Sequence, residues 1–338
     1  MKRNLIKNVV EEVLLLMDDS INKMNNRLSW LDNLKGYLIL LVVLGHTIQF
    51  TTIEAKEIMV FNYIHSFHVP LFMLTSGYAF GLSMRRGLNL IKRRFFQLMV
   101  PYFVWSLLWL IFIEPTDVYG IFLHPESYLW FAWALFFISV IHMFSLWISN
   151  IIKIREDYFT LALAVLIMLV LSKIKIQYFA FNLIGLHFFF YIIGVFMCKI
   201  KRPWGNTIFL SLVGILSLGL SFTFIFGEVP SFSPIKNYMV YMILVGIIAA
   251  LFYLPLFCNC FDTECFLTKI GKHYTLGIYF IHLTIIKIVS AKMDIHLGEG
   301  VQYATMIFCS WIVITTLSIA LAKLFLLNKV ASKSFLGV

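Results

Sequence analysis

Charge is what this chain has least of. Asp, Glu, Lys and Arg together make 13 % of 338 residues against 61 % apolar, and acids are the scarcer sign at 17. So little charge cannot clothe the surface of a soluble domain, and no long polar stretch stands apart where one could be hidden. There is no Gly/Ser-rich linker, no low-complexity tract and no internal repeat. A GxxxxGK[ST] phosphate loop is missing too, which leaves ATP-driven transport without support. The cysteines, Cys198, Cys258, Cys260, Cys265 and Cys309, are odd in number and give no disulfide framework. Cys258, Cys260 and Cys265 fit no zinc spacing, so no metal is expected. Nor do residues 1–30 read as a secretory leader: their longest apolar run, Val13–Met17, is short and lies between Glu11–Glu12 and Asp18–Asp19.

What the chain does have is apolar runs approaching the roughly 20 residues that cross a bilayer. The expected fold is an all-α polytopic integral membrane protein. About ten spans are expected, at 34–52, 62–83, 95–113, 128–149, 157–172, 177–198, 206–226, 237–257, 274–291 and 303–327. One transmembrane domain would cover 31–330 and a short cytoplasmic tail 331–338. Ahead of it, Leu5, Ile6, Val9, Val10, Val13, Leu14, Met17, Ile21 and Met24 follow helical spacing, so 1–30 reads as an amphipathic segment on the membrane surface or against the bundle. With ten spans, the loop set that includes both termini holds 21 of the 27 Lys and Arg, leaving 6 on the other side. That bias puts both termini in the cytoplasm. The net charge of +10 therefore reports topology, and nucleic acid is not an expected partner; membrane lipid is.

The stretch from Leu31 to His46, LDNLKGYLILLVVLGH, organises the rest. Lys35 and His46 are eleven apart, about three helical turns, so both lie on one face about 16 Å apart along the axis. Asp32 lies one turn further back. Alone, Lys35 and Asp32 could be interfacial anchors and His46 a helix–helix hydrogen bond. Three on one face of an apolar helix, with the histidine deepest at about mid-depth, point to chemistry, because ionisable groups in a membrane are costly.

Further polar groups recur along the chain. His65 and His68 are three apart and could share a face, and Pro70 is expected to leave His68 at a break or a helix start. Ser76 and Gly77 form a small pair that lets another helix approach closely. Arg85–Arg86 and Lys92-Arg93-Arg94 can hold orientation, or form an electropositive mouth for a phosphate-bearing molecule. Trp130, in Tyr128-Leu129-Trp130-Phe131, suits an aromatic belt or a sugar ring. His187 reads as a helix–helix hydrogen bond, and Tyr279 and His282 are again three apart.

Together these segments resemble the membrane-bound acyltransferase family 3, integral-membrane O-acyltransferases that modify cell-surface sugars. Its pattern of a basic residue, ten residues and a histidine is similar to Lys35-x10-His46, and the D-x-x-K-G reading is similar to the fucose 4-O-acetylase branch. FHVPLFMLTSGY, the KRR…PY start of the third span, YLWF and GIYFIH fall in the family's order, so the resemblance covers about 28–327. Lysine stands where many members have arginine, which changes any bidentate role. No appended esterase-like domain is expected after the tenth span.

The resemblance implies acyl-CoA, most simply acetyl-CoA, as donor substrate, with no permanently bound cofactor. The implied acceptor is a carbohydrate hydroxyl of a capsular, exopolysaccharide or O-antigen unit, at the bacterial cytoplasmic membrane. Lys35, Arg93 and Arg94 are then the candidates for donor phosphates. His46 would be general base or acyl carrier, with Asp32 orienting Lys35. Ser76, His68 and His282 would orient the acceptor or the oxyanion, and Trp130 and Tyr279 would contact the sugar. The competing class is a secondary transporter or lipid-linked sugar flippase with Lys35, His46 and His282 as a polar path. A third is a non-catalytic partner in a polysaccharide assembly complex.

Overall fold

The computed structural model describes residues 28–51, 55, 58–83, 88–113, 118–127, 129–174, 178–200, 207–230, 233, 237–292 and 301–338. Nearly all of the amphipathic segment expected over 1–30, as well as Arg85–Arg86 and Tyr128, lies outside them.

Most of the described residues are helical, with no strand among them. The α-helices of seven or more residues among them are α1 (Ser29–Thr51), α2 (Met59–Ser83), α3 (Leu88–Arg94), α4 (Val100–Phe112), α5 (Trp130–Ile152), α6 (Glu156–Ile174), α7 (Phe181–Met197), α8 (Thr207–Phe222), α9 (Tyr238–Cys260), α10 (Thr275–Lys292) and α11 (Val301–Leu326). A wide turn, Phe95–Met99, carries α3 into α4. A helix thus occupies each of the ten expected segments. Among the described residues, five helices are long and apolar enough to cross a membrane: Ser29–Thr51, Asn89–Phe112, Trp130–Ile152, Tyr238–Cys260 and Gln302–Leu326.

The packing has the inverted pattern of a protein solvated by lipid. On α8, Ile208, Leu212 and Ile215 are exposed at helical spacing, whereas Gly214, Ser217 and Ser221 face inward. In water this helix would turn its apolar stripe to the core. In a bilayer small residues make the helix contacts and large apolar ones meet acyl chains. The chain is an integral membrane protein.

Small residues also set the two closest crossings. A Cβ on Gly77 would lie 1.9 Å from Tyr191 O, and one on Gly194 2.0 Å from Leu74 O, so α2 and α7 touch backbone to backbone. Near the start of α1, a Cβ on Gly271 would fall 1.8 Å from Asp32 O and one on Gly36 2.2 Å from Leu267 O. Asn33 bolts this second crossing. Its Nδ2 donates to Phe261 O and Thr263 O at 2.6 and 2.9 Å, and its Oδ1 accepts from Thr268 Oγ1 at 2.6 Å.

One expectation is corrected. Pro70 does not break the second span: α2 runs from Met59 through it to Ser83, so His68 is an interior helical residue. The helix tolerates the lost N–H of proline because its neighbours bury and constrain it. The C-terminal residues pack against the bundle. Phe335 stacks on Phe325 at 4.7 Å, its carbonyl accepts from Trp105 Nε1 at 2.9 Å, and Leu336 is buried.

Candidate active site

His46 lies 17 residues after the start of the 23-residue α1, about 26 Å along it and toward its far end. Its Nδ1 is 2.9 Å from Nε2 of His282 on α10, and the two rings are stacked with centroids 5.2 Å apart and 8° between planes. His282 is fully buried and its Nδ1 lies 2.7 Å from Ile278 O. A carbonyl only accepts, so His282 Nδ1 carries the proton and, in the neutral ring, its Nε2 accepts. His46 Nδ1 must then donate. The lone pair of His46 is left on Nε2, where a base or nucleophile needs it.

Two more histidines border the pair. A Cβ on Gly45 would touch His65 Cε1 at 3.3 Å, so His65 abuts α1 next to His46. His65 and His68 are in ring contact, centroids 4.7 Å apart. Their Nδ1 atoms donate to Phe61 O and Ile64 O at 2.9 and 2.8 Å, which leaves their lone pairs on Nε2 by the same reasoning. His187 of α7 is stacked under Trp130 at 5.4 Å, and its buried Nδ1 makes no hydrogen bond, so the helix–helix bond expected of it is not formed. Tyr279 lies 6.3 Å from His282 and 5.6 Å from Phe131, ring to ring, and its hydroxyl accepts from Ala132 N at 3.3 Å. Trp130, Tyr279, His282, His46 and His68 therefore gather at one end of the bundle.

Lys35 and Asp32 stand at the other end. They form an ion pair of 3.8 Å across one turn of α1, with Asp32 buried and Lys35 partly open. Trp30 packs edge-on against Tyr78 at 5.2 Å, which brings this end of α1 to the last turns of α2. Arg94 lies over the Phe80 ring at 5.4 Å in the same region, and Arg93 is exposed beside it. Ser76 sits on α2 about 12 Å beyond His68 toward this end and is not brought to the histidines. The site is thus bipolar: cations at one end, imidazoles and aromatics at the other. No group of three or more His, Cys, Asp or Glu among the described residues could hold a metal ion.

The histidine pairing was out of reach of sequence reasoning, since no spacing rule joins residues 236 apart. His187 was likewise visible only as a single intramembrane histidine, and His65 only as a neighbour of His68. Their common signal is the scarcity of such groups in apolar helices.

Comparisons with known proteins show the family. Nodulation protein NolL of Mesorhizobium japonicum (strain LMG 29417 / CECT 9101 / MAFF 303099) is 28 % identical over 170 residues, 42 % of this chain and 44 % of that protein. Nodulation protein NolL of Sinorhizobium fredii (strain NBRC 101917 / NGR234) is 39 % identical over 90 residues, a quarter of each chain. The chain thus spans less than half the length of each of these relatives. No solved structure matches. The family described as Acyltransferase domain matches residues 28–325, from the start of α1 almost to the end of α11, and the chain belongs to that family.

Proposed function

We propose that the chain is a membrane O-acyltransferase that moves an acyl group, acetyl first among candidates, from cytoplasmic acyl-CoA to a hydroxyl of a cell-surface polysaccharide or its lipid-linked precursor. The observation that carries this reading is the His46 Nδ1 to His282 Nε2 hydrogen bond, because it leaves one histidine nitrogen free to take a proton.

In this reading the acceptor hydroxyl gives its proton to His46 Nε2 as its oxygen attacks the thioester carbonyl. The ester C–O bond forms, the C–S bond breaks, and the departing thiolate takes the proton back from the imidazolium. His282 holds His46 in the correct tautomer through the step and, with Ile278 O behind it, stabilises the charge that develops. Lys35, with Arg93 and Arg94, would meet the donor's phosphates at the opposite end, and the rise of about 16 Å from Lys35 to His46 is what the donor's arm must span. Trp130 offers a face for a sugar ring, with His68 and Tyr279 beside it.

Ten spans with both termini in the cytoplasm, in a bacterial cytoplasmic membrane, complete the proposal. The Lys and Arg bias supports that orientation, as does the gathering of Lys35, Arg93 and Arg94 at the end of the bundle where α1 begins.

The test uses membranes of the native host carrying wild type or His46→Ala at equal abundance, with radiolabelled acetyl-CoA. Alkali-labile label in envelope carbohydrate with wild type, lost in the variant, is expected. Equal label in both would overturn the role of His46. Label in neither, from folded protein and with other acyl donors tried, would move the case to transport.

A further inference from the structure

The connection between α8 and α9 holds a turn that reaches back to the histidines. Ile225 and Glu228 pair across it, with Glu228 N donating to Ile225 O at 3.2 Å. Gly227 takes the positive φ, 88°, that the third place of such a turn favours. Two anchors fix the turn. On one side Phe224 is buried and its ring is stacked on Tyr241 of α9 at 6.0 Å. On the other, Phe226 N donates at 3.0 Å to Oδ1 of Asn62, an α2 residue only 6 % exposed. A buried amide on a membrane helix is costly unless it is bonded, and this bond gives Asn62 a use.

That use is to deliver Phe226 to the histidine end of the bundle. The Phe226 ring stands edge-on to His65 at 4.9 Å and to Phe61 at 5.9 Å, while 37 % of the residue stays exposed. His65 contacts His68, and His68 lies within electrostatic reach of His187, the ring under Trp130. A row of rings thus runs Trp130, His187, His68, His65, Phe226. His46 stands beside it, next to His65 and within reach of His68. Each end of the row is a large aromatic, one from the start of α5 and one from the α8–α9 turn. The imidazoles of His65 and His68, with lone pairs on Nε2, lie between them.

We infer that Phe226, held in place by Asn62, is a second sugar-stacking wall, so that the acceptor is a carbohydrate of at least two units, one on Trp130 and another on Phe226. Aromatic faces alternating with hydrogen-bond acceptors match a sugar chain, whose rings have an apolar C–H face and a rim of hydroxyls. A lipid acyl chain would use the phenyl ring and leave the imidazole nitrogens unpaired. Three imidazoles separate the two walls, so one sugar ring does not cover both. The carbohydrate class of the ligand rests on the function proposed above; the second wall and the length of chain it requires go beyond it.

The experiment measures binding without an acyl donor. The probe is alkali-treated envelope polysaccharide of the native host, cut by mild acid and sized into a single-sugar and an oligosaccharide fraction. Each is titrated by calorimetry into the full chain in nanodiscs. Phe226→Leu keeps apolar bulk and the backbone N–H that Asn62 holds, but removes the ring face. It is expected to weaken oligosaccharide binding about tenfold and single-sugar binding far less. Phe226→Trp should stay within about twofold of wild type, and Asn62→Leu, which frees the turn, should resemble Phe226→Leu. With acetyl-CoA added, Phe226→Leu should raise the oligosaccharide KM and leave kcat and the donor KM in place. Oligosaccharide binding unchanged in Phe226→Leu overturns the second wall. So does equal loss in Phe226→Leu and Phe226→Trp, which would mark a packing residue, and so does a wild type that binds neither fraction. Binding that depends on Phe226, without acyl transfer from any donor, would sink the reaction and leave the wall standing. Transfer that depends on His46, with Phe226→Leu binding as wild type, would sink the wall alone.

Discussion

His46 and His282 are 236 residues apart in the chain and share one hydrogen bond of 2.9 Å, their rings within 8° of parallel. The bond has a direction imposed from behind, because Ile278 O fixes the proton of His282 on Nδ1. His282→Ala should therefore lower kcat by about 10²-fold or more with little change in the KM for acyl-CoA. His282→Gln, whose amide oxygen can still accept from His46 Nδ1, should recover part of the loss. Steady-state kinetics on reconstituted protein checks this. Equal defects in the two variants would make His282 a packing residue.

The aromatic end of the site makes a separate claim. Trp130 is stacked on His187, whose Nδ1 is otherwise without a bond, so the pair presents a ring face and one unused polar atom. Trp130→Ala should raise the KM for the carbohydrate acceptor roughly tenfold, in line with about 1–1.5 kcal/mol for an aromatic contact, and leave the KM for acyl-CoA unchanged. Trp130→Phe should stay within a few-fold of wild type. A rise in both KM values for the alanine variant would point to collapse of the helix start instead.

Glycines give a stability test with an internal control. The Gly77 Cβ position is 1.9 Å from a backbone oxygen of Tyr191, and no rotamer change can move a backbone, so α2 and α7 would have to part. Gly77→Ala should cost about 1–3 kcal/mol by the usual scale of overpacking. Gly219 of α8 has nothing within 4 Å of its Cβ position, so Gly219→Ala should cost nothing measurable. Unfolding in mixed micelles would rank the two, and equal stability would mean the helices are not seated as described.

How far the sequence could be read follows from the range of each signal. Hydropathy and length are local, so a helix lies in each of the ten expected segments, and the spacing of Lys35 and His46 already placed them on one face of one helix. Gly77 as a close-packing residue was legible for the same reason. The partner of His46 was not, because it comes from a distant helix. Nor was the division of the site residues, with Lys35, Asp32, Arg93 and Arg94 at one end and Trp130, Tyr279 and His68 with the histidine pair at the other. Pro70 misled because a rule for isolated chains puts a boundary at a proline, whereas in a packed bundle α2 continues through it. The seat of the C-terminal segment was not legible, because its short apolar run, Phe335–Leu336, carries no periodic pattern.

That segment supports the last prediction. Gly337 has φ 69, in the left-handed region that favours glycine, and a Cβ there would lie 2.2 Å from Gln97 O. Gln97 is three residues beyond Arg94 in the wide turn that joins α3 to α4, so the C-terminal residues brace the turn that carries the basic end of the site. Gly337→Ala is opposed twice, by backbone conformation and by space. It should lower the melting temperature and, if the turn shifts, raise the KM for acyl-CoA several-fold while the KM for the acceptor stays put. Removal of 333–338 should do both more strongly, because it also strips Leu336 from the core and the carbonyl partner from Trp105 Nε1. Thermal unfolding read by intrinsic tryptophan fluorescence reports the first effect and donor titration the second. Melting and donor KM unchanged in the truncated chain would show that the α3–α4 turn holds without the brace.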